Sequence, residues 1–291
     1  MRQQILTISL CCVFILSALS DVLSQPLHRT DLSNLRVNAF AQDSLGYIWI
    51  ATANGLCKSF GESYDVFFYD EADEHSIPSN LITGLYVDDA SKLWISTGKG
   101  ICSMARGKYE FHRYSQSTST GMESFFLGFV QYAGRIYTYG YNGLYEIDEK
   151  NKTLIPRIEV DRQVIYGAVT DSHGNLWLTN GAELIKLDRS LSLISKIVVG
   201  RDDVVNCMVS DREKILLGTE NGIKLLDLHS LEISDGDFPH ALDDLRINQM
   251  LPVDGGRKLL ISTRNKGALV YDMETRDVIS RYNNDEFADI P

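Results

Sequence analysis

The chain has 291 residues, 44% hydrophobic and 23% charged, a balance that excludes a disordered tail and supplies apolar surface for a sizeable core. Lys+Arg 28 against Asp+Glu 39 gives a net charge of -11, so the average field repels phosphate backbones and anionic membrane surfaces. Nucleic acid is accordingly not expected as a partner.

The N-terminus has Arg2, an apolar run from Ile5 to Leu19 and small residues at Ala18 and Ser20. This is the three-part layout of a secretory signal peptide, covering residues 1–20 with a cut as late as residue 24. A retained membrane anchor is the alternative, for which the run is shorter than the roughly 20 apolar residues a span needs. Export would leave the remaining chain in the periplasm or otherwise outside the cytoplasm. Of five cysteines, Cys11 and Cys12 would leave with the signal. Cys57, Cys102 and Cys207 show no CxxC or His-linked metal spacing and read as small buried hydrophobes.

From residue 27 to 291 the texture is that of a repeat. The stretch DSLGYIWIATANGL (Asp43 to Leu56) returns in weaker form from Asp88, Gln131, Asp171, Asp211 and Asp254. Aligned on the bulky residue of the second strand, the copies place Trp49, Trp94, Tyr137, Trp177, Leu216 and Leu260 at intervals of 39 to 45 residues. An apolar or alternating segment precedes each hairpin (VNAFAQ, LITGLYV, VIYGAVT, VVNCMVS), and a third and fourth strand follow, as in LCKSF and YDVFFYD. Four strands per unit at this period predict an all-β fold, a β-propeller of four-stranded blades. Six blades are visible, approximately 34–80, 81–121, 122–160, 161–200, 201–242 and 243–291.

The repeated residues have architectural roles in such a blade. Asp43 and Asp171 can accept backbone hydrogen bonds in the turn between the first two strands, and Gly46, Gly134 and Gly174 supply its positive φ. Trp49, Trp94, Tyr137 and Trp177 are expected to wedge between adjacent blades. Asn54-Gly55, Asn142-Gly143 and Asn221-Gly222 suit the next reversal. A blade cannot bury both faces alone, so repetition is how the core is built.

The pattern D-x-x-G-x-x-W-[IL]-x-T-x-x-G-[LI], with Ile77-Pro78-Ser79-Asn80 leading into the second copy, resembles the two-component regulator propeller repeat. Copies one, two and four match it well; three, five and six are degenerate. The resemblance implies the exported, ligand-sensing part of a hybrid two-component system of Bacteroidetes type, with a glycan oligosaccharide as ligand. It also implies seven blades to a ring, and a second propeller or a homodimer as partner. Kinase, receiver and membrane-spanning modules of such receptors have no counterpart in this sequence. NDEFADIP (Asn284 to Pro291) resembles the loop DEADEHSIPSN (Asp70 to Asn80) that enters blade two. The expectation is therefore an N-terminal fragment whose propeller is an incomplete seven-bladed ring, reaching a membrane only through further C-terminal regions. A stand-alone propeller scaffold is the alternative.

Function is sought where the copies differ, on loops held by the rigid scaffold. In blade three YTYGYNG puts Tyr139 and Tyr141 beside the turn. Each offers a flat apolar face with a polar tip, suited to stacking on a sugar ring or to packing on the neighbouring blade. The acidic loop from Asp70 to His75 matches no calcium-loop spacing and reads as a solvated loop, as does the start of the corresponding loop at Arg201, Asp202 and Asp203. No metal or cofactor is expected. The six histidines are scattered, and no carboxylate stands in an apolar setting that would raise its pKa for acid catalysis. Binding is thus favoured over catalysis, with a propeller hydrolase or lyase the remaining enzymatic reading, because its groups would come from several blades and leave no linear motif.

Overall fold

The computed structural model describes residues 27–29, 32–34, 36–60, 63–105, 107–116, 125–200, 203–264 and 266–282. The signal-peptide residues, Cys11, Cys12, Arg201, Asp202 and the NDEFADIP segment lie outside them. Regular structure within these residues is β-strand, with two three-residue 3-10 turns at His240–Leu242 and Asp254–Gly256.

Each blade is an antiparallel meander in chain order. The innermost strands are Val37–Gln42, Ile82–Val87, Phe126–Tyr132, Gly167–Thr170, Val205–Asp211 and Ile247–Val253. Blades 4, 5 and 6 are four-stranded, and blade 1 gains a fifth outer strand, Leu27–Arg29, antiparallel to Ser63–Phe67. Blades 2 and 3 join at their rims, where Thr153 and Leu154 run parallel to Ser115 and Gln116. In blade 3 the strand Arg135–Asp148 continues through Asn142-Gly143. Its first half pairs with the innermost strand, its second half with Thr153–Val164, and an Arg135–Glu146 ion pair at 2.5 Å sets the halves side by side.

The seams between blades are the core. Trp49, 2% exposed, packs among Leu85, Ile95 and Met104 of blade 2. Trp94, 0% exposed, packs on Phe126, Phe129 and Ile136 of blade 3. Tyr137 meets Ile165, Leu176 and Leu178 of blade 4. Trp177, 0% exposed, meets Val205, Met208 and Leu217 of blade 5. Leu216 meets Ile247 and Met250 of blade 6.

One device explains the spacing of the motif. Asp43 Oδ1 accepts the amides of Leu45 and Tyr47, both at 3.0 Å, and Oδ2 accepts the Trp49 indole N–H at 3.0 Å. Asp88 does the same for Ala90, Lys92 and Trp94, with the indole bond at 2.8 Å. Asp171 does it for His173, Asn175 and Trp177, again with 2.8 Å to the indole. A carboxylate is acceptor-only on both oxygens, so it can close a turn and satisfy a buried donor six residues on. The motif threonine acts similarly at the other end of the hairpin. Thr52 Oγ1 donates to Gly55 O at 2.8 Å and accepts the Asn54 amide at 3.1 Å, and Thr97 and Thr219 repeat the arrangement.

The sixth seam joins the last described blade to the first. Blade 6 sits directly against blade 1: Leu251 and Leu260 pack on Phe40, Ile50 and Val66. Gln249 accepts the Phe40 amide at 2.5 Å and donates to the Phe40 carbonyl at 3.4 Å. The described blades therefore close as six, because Leu260 and Gln249 find apolar and polar partners on blade 1 without an intervening sheet. This seam is the least tightly filled. Leu251 and Leu260 remain partly exposed there, whereas Trp94 and Trp177 are sealed at theirs.

Candidate functional site

The six innermost strands surround a channel that opens into the cleft between blades 6 and 1, where Ser59, Tyr64, Leu260 and Val270 also line it, and the combined cavity measures about 2320 Å³. Five of them contain a β-bulge near their first residue, at Asn38, Thr83, Leu127, Asn206 and Asn248. A bulge re-aims one side chain out of the strand's alternation. Asn38 donates to the Ile82 carbonyl at 2.7 Å, Thr83 to Phe126 at 2.7 Å and Asn206 to Ile247 at 3.0 Å. Asn38, Thr83 and Asn206 thus latch their blades to the next at the end of the channel where the loops gather. Glycines permit the close approach. A Cβ on Gly84 would lie 2.2 Å from the Leu127 carbonyl oxygen.

The two tyrosines beside the blade 3 turn have different surroundings. Tyr139 lies over its cross-strand partner Gly128, where an added Cβ would come within 2.4 Å of the tyrosine hydroxyl. Burial pushes its phenol well above the ordinary range, partly opposed by a backbone hydrogen bond from Ala168 of blade 4. It lines the channel wall and packs with the blade 3–blade 4 seam. Tyr141, 49% exposed, stands on the loop face with its ring edge-on to Phe125, centroids 5.9 Å apart. Its amide donates to the Phe125 carbonyl at 2.9 Å. Phe125 and Tyr166 both line the channel mouth, and Tyr166 is 39% exposed. Sequence reasoning missed these two, since each lies in a connection rather than in the repeated hairpin.

The acidic loop is occupied with itself. Asp70 and Asp73 cap the amides of Ala72 and His75, both at 2.9 Å. The Arg113 guanidinium donates to the Asp73 and Ser76 carbonyls. Asp203 accepts from Asn221 at 3.1 Å and faces Lys224 at 3.3 Å. Among the described residues no cluster of three or more His, Cys, Asp or Glu side chains could hold a metal ion. Each described aspartate with a displaced titration is displaced downward. For Asp171, burial acts to raise the carboxyl, but hydrogen bonds from Trp177 and Asn175 and the charge of Lys186 outweigh it. The three described cysteines are free and buried, and burial pushes the Cys207 thiol up to about 12. No described helix is long and apolar enough to cross a membrane.

Residues 31–54 match the family model for the two component regulator propeller, which overlaps the first copy of the repeat. A search of curated proteins returns no match. Among solved structures, the chain is similar to the extracellular domain described for hybrid two component system BT3049 from B. thetaiotaomicron. The TM-score is 0.69 at 19% identity, over 89% of this chain and 37% of that one. A second B. thetaiotaomicron extracellular domain, described for one component system BT4673, gives 0.64 at 20% identity, over 85% and 36%. Virginiamycin B lyase from Staphylococcus aureus gives 0.61 at 12% identity, over 78% and 77%. The chain thus spans a little over a third of the length of the two extracellular domains. At these identities the likeness establishes architecture. The chain is a β-propeller in which residues 31–54 match the two component regulator propeller model.

Proposed function

We propose that the chain is the ligand-sensing propeller of an extracytoplasmic receptor, and that its ligand is an oligosaccharide bound across the loop-face mouth of the channel. The observation that supports this reading most is the arc of accessible aromatic rings, Phe125, Tyr141 and Tyr166, set on a scaffold latched from blade to blade. Flat apolar faces with polar tips suit the alternating apolar and hydroxylated faces of a sugar. The repeat match and the likeness to extracellular domains of two-component systems agree with it. Tyr139 supports the platform from below through blade 4, and Tyr141 makes the contact.

Signalling would need a binding event that favours one arrangement of a larger receptor, a homodimer or a second propeller, since only differential affinity for two arrangements moves an equilibrium. The histidine kinase and the membrane anchor belong to that larger receptor. Thermal-shift screening of this chain against plant and host oligosaccharides should show a stabilised melt with at least one class. Y141A and Y166A should each weaken that ligand about tenfold while leaving the melt of the unliganded protein within about 2 °C. No stabilisation by any oligosaccharide would contradict the reading. The fold is shared with virginiamycin B lyase, so accumulation of cleaved product from a bound ligand would replace sensing with catalysis.

A further inference from the structure

The channel lining contains four cations, Arg36, Lys258, Arg264 and Lys266, and one anion, Asp254. Asp254 and Lys258 lie 3.3 Å apart at the turn end of blade 6, remote from the loop face. The other three cations collect at the loop-face end. Arg36 immediately precedes the innermost strand of blade 1, and its carbonyl accepts the Ala53 amide of the adjoining hairpin at 3.0 Å. Arg264 and Lys266 are in the hairpin turn of blade 6, which is held by Thr263: its Oγ1 donates to Gly267 O at 2.8 Å and accepts the Lys266 amide at 2.9 Å.

Little neutralises them. Glu220 lies 3.6 Å from both Arg264 and Arg246, so one carboxylate is shared by two guanidiniums. Among the described residues neither Arg36 nor Lys266 makes an ion pair. In a chain of net charge -11, chance would make a patch of the surface acidic, so an arc of one sign and the opposite polarity at a channel mouth is a local arrangement. Walls of low dielectric concentrate its field on whatever enters.

Ring order fixes where this arc stands. In a closed ring of six, blades 6 and 1 lie across the channel from blades 3 and 4. The cationic arc therefore faces Phe125 and Tyr166 across the mouth, with Tyr141 beside Phe125. A neutral glycan needs only the aromatic side. We infer that the oligosaccharide accepted here bears carboxylate or sulfate groups, with its anionic substituent on Arg36, Arg264 and Lys266 and an uncharged ring face on the aromatic side. This rests on the oligosaccharide reading above and narrows it to anionic glycans.

Titration calorimetry with four probes of similar length tests it: a neutral xylo-oligosaccharide, an oligogalacturonate, a chondroitin sulfate oligosaccharide and a polyglutamate peptide. One or both acidic glycans should bind at least about tenfold tighter than the neutral one, and the preference should shrink as salt rises from about 50 mM to about 500 mM and screens the pairs. Which acidic glycan binds distinguishes carboxylate from sulfate. R36A/K266A, both exposed positions, should weaken the acidic glycan about tenfold or more and leave the melt unchanged. If the neutral glycan binds as tightly as the acidic ones, and R36A/K266A does not alter either, the anionic inference is overturned while the oligosaccharide reading stands. If no glycan binds, or polyglutamate binds as well as any of them, both are overturned.

Discussion

Replacing Asp171 by Asn isolates the device that joins turn to seam. The carboxylate gives Oδ1 to the amides of His173 and Asn175 and Oδ2 to the indole of Trp177, which is 0% exposed. Asparagine has one acceptor oxygen. If that oxygen serves the turn, its NH2 confronts the indole N–H, and a buried donor is left unmade at a cost of about 1–3 kcal/mol. The expected loss is about 2 kcal/mol for D171N and about 3 kcal/mol for D171A, which also loses both turn amides' acceptor. At roughly 2–4 °C per kcal/mol for a chain of this size, D171A should melt about 6–12 °C lower. Urea unfolding followed by far-UV circular dichroism measures this. W177F in the D171N background removes the frustrated donor, so the double-mutant cycle should show a coupling of about 1 kcal/mol or more. The carboxyl titrates below its ordinary range in the folded chain. Its contribution is therefore complete above the unfolded value of about 4 and is lost as pH falls through the lower folded value. The gap between wild type and D171N should stay constant from pH 7 to about 5 and narrow below about 4. A D171N loss under about 0.5 kcal/mol at pH 7, or a gap that does not narrow in acid, would refute the clasp.

Gly84→Ala should cost about 3 kcal/mol, because its Cβ would meet the Leu127 carbonyl of blade 3 at 2.2 Å, whereas Gly46→Ala, with open space but a φ of +87°, should cost about 1 kcal/mol; equal losses in urea melts would contradict the steric account. Gln249→Ala removes both hydrogen bonds to Phe40 at the blade 6–blade 1 seam and should cost about 2 kcal/mol. Amide exchange would then rise in Val37–Gln42 and Ile247–Val253 before Ile82–Val87, and uniform acceleration would refute a seam of its own stability. Cys57, Cys102 and Cys207 are buried, so none should react with a thiol reagent in the native protein at pH 8, and all three should react in denaturant.

The residues that act within one hairpin were legible in the sequence. Trp49, Trp94 and Trp177 announce their positions because a large ring recurs at a fixed distance from Asp and Gly, and the local turn chemistry dictates that distance. What depends on distant partners was not legible. Tyr139 and Tyr141 are two residues apart with the same chemistry, yet Gly128 and Ala168 decide that the first supports the wall while the second reaches the loop face. The meeting of Gln249 with Phe40 joins residues 209 apart in sequence. It brings the first and last of the six described blades into contact. Bulges at Asn38, Thr83 and Asn206 are set by pairing register, which alternating apolar residues do not encode. The cationic arc escaped notice because Arg36, Arg264 and Lys266 come from opposite ends of the chain and only ring closure unites them.

Hydrogen exchange of the chain with and without its tightest-binding oligosaccharide locates the site without presuming the ligand's identity. Protection is predicted at the loop face, in residues 139–142, 164–167 and 263–267, with the turns at 43–47, 88–92 and 171–175 unchanged. Protection confined to those turns, or to the outer strands of the blades, would place the ligand elsewhere and contradict a binding mouth built from blades 3, 4, 6 and 1.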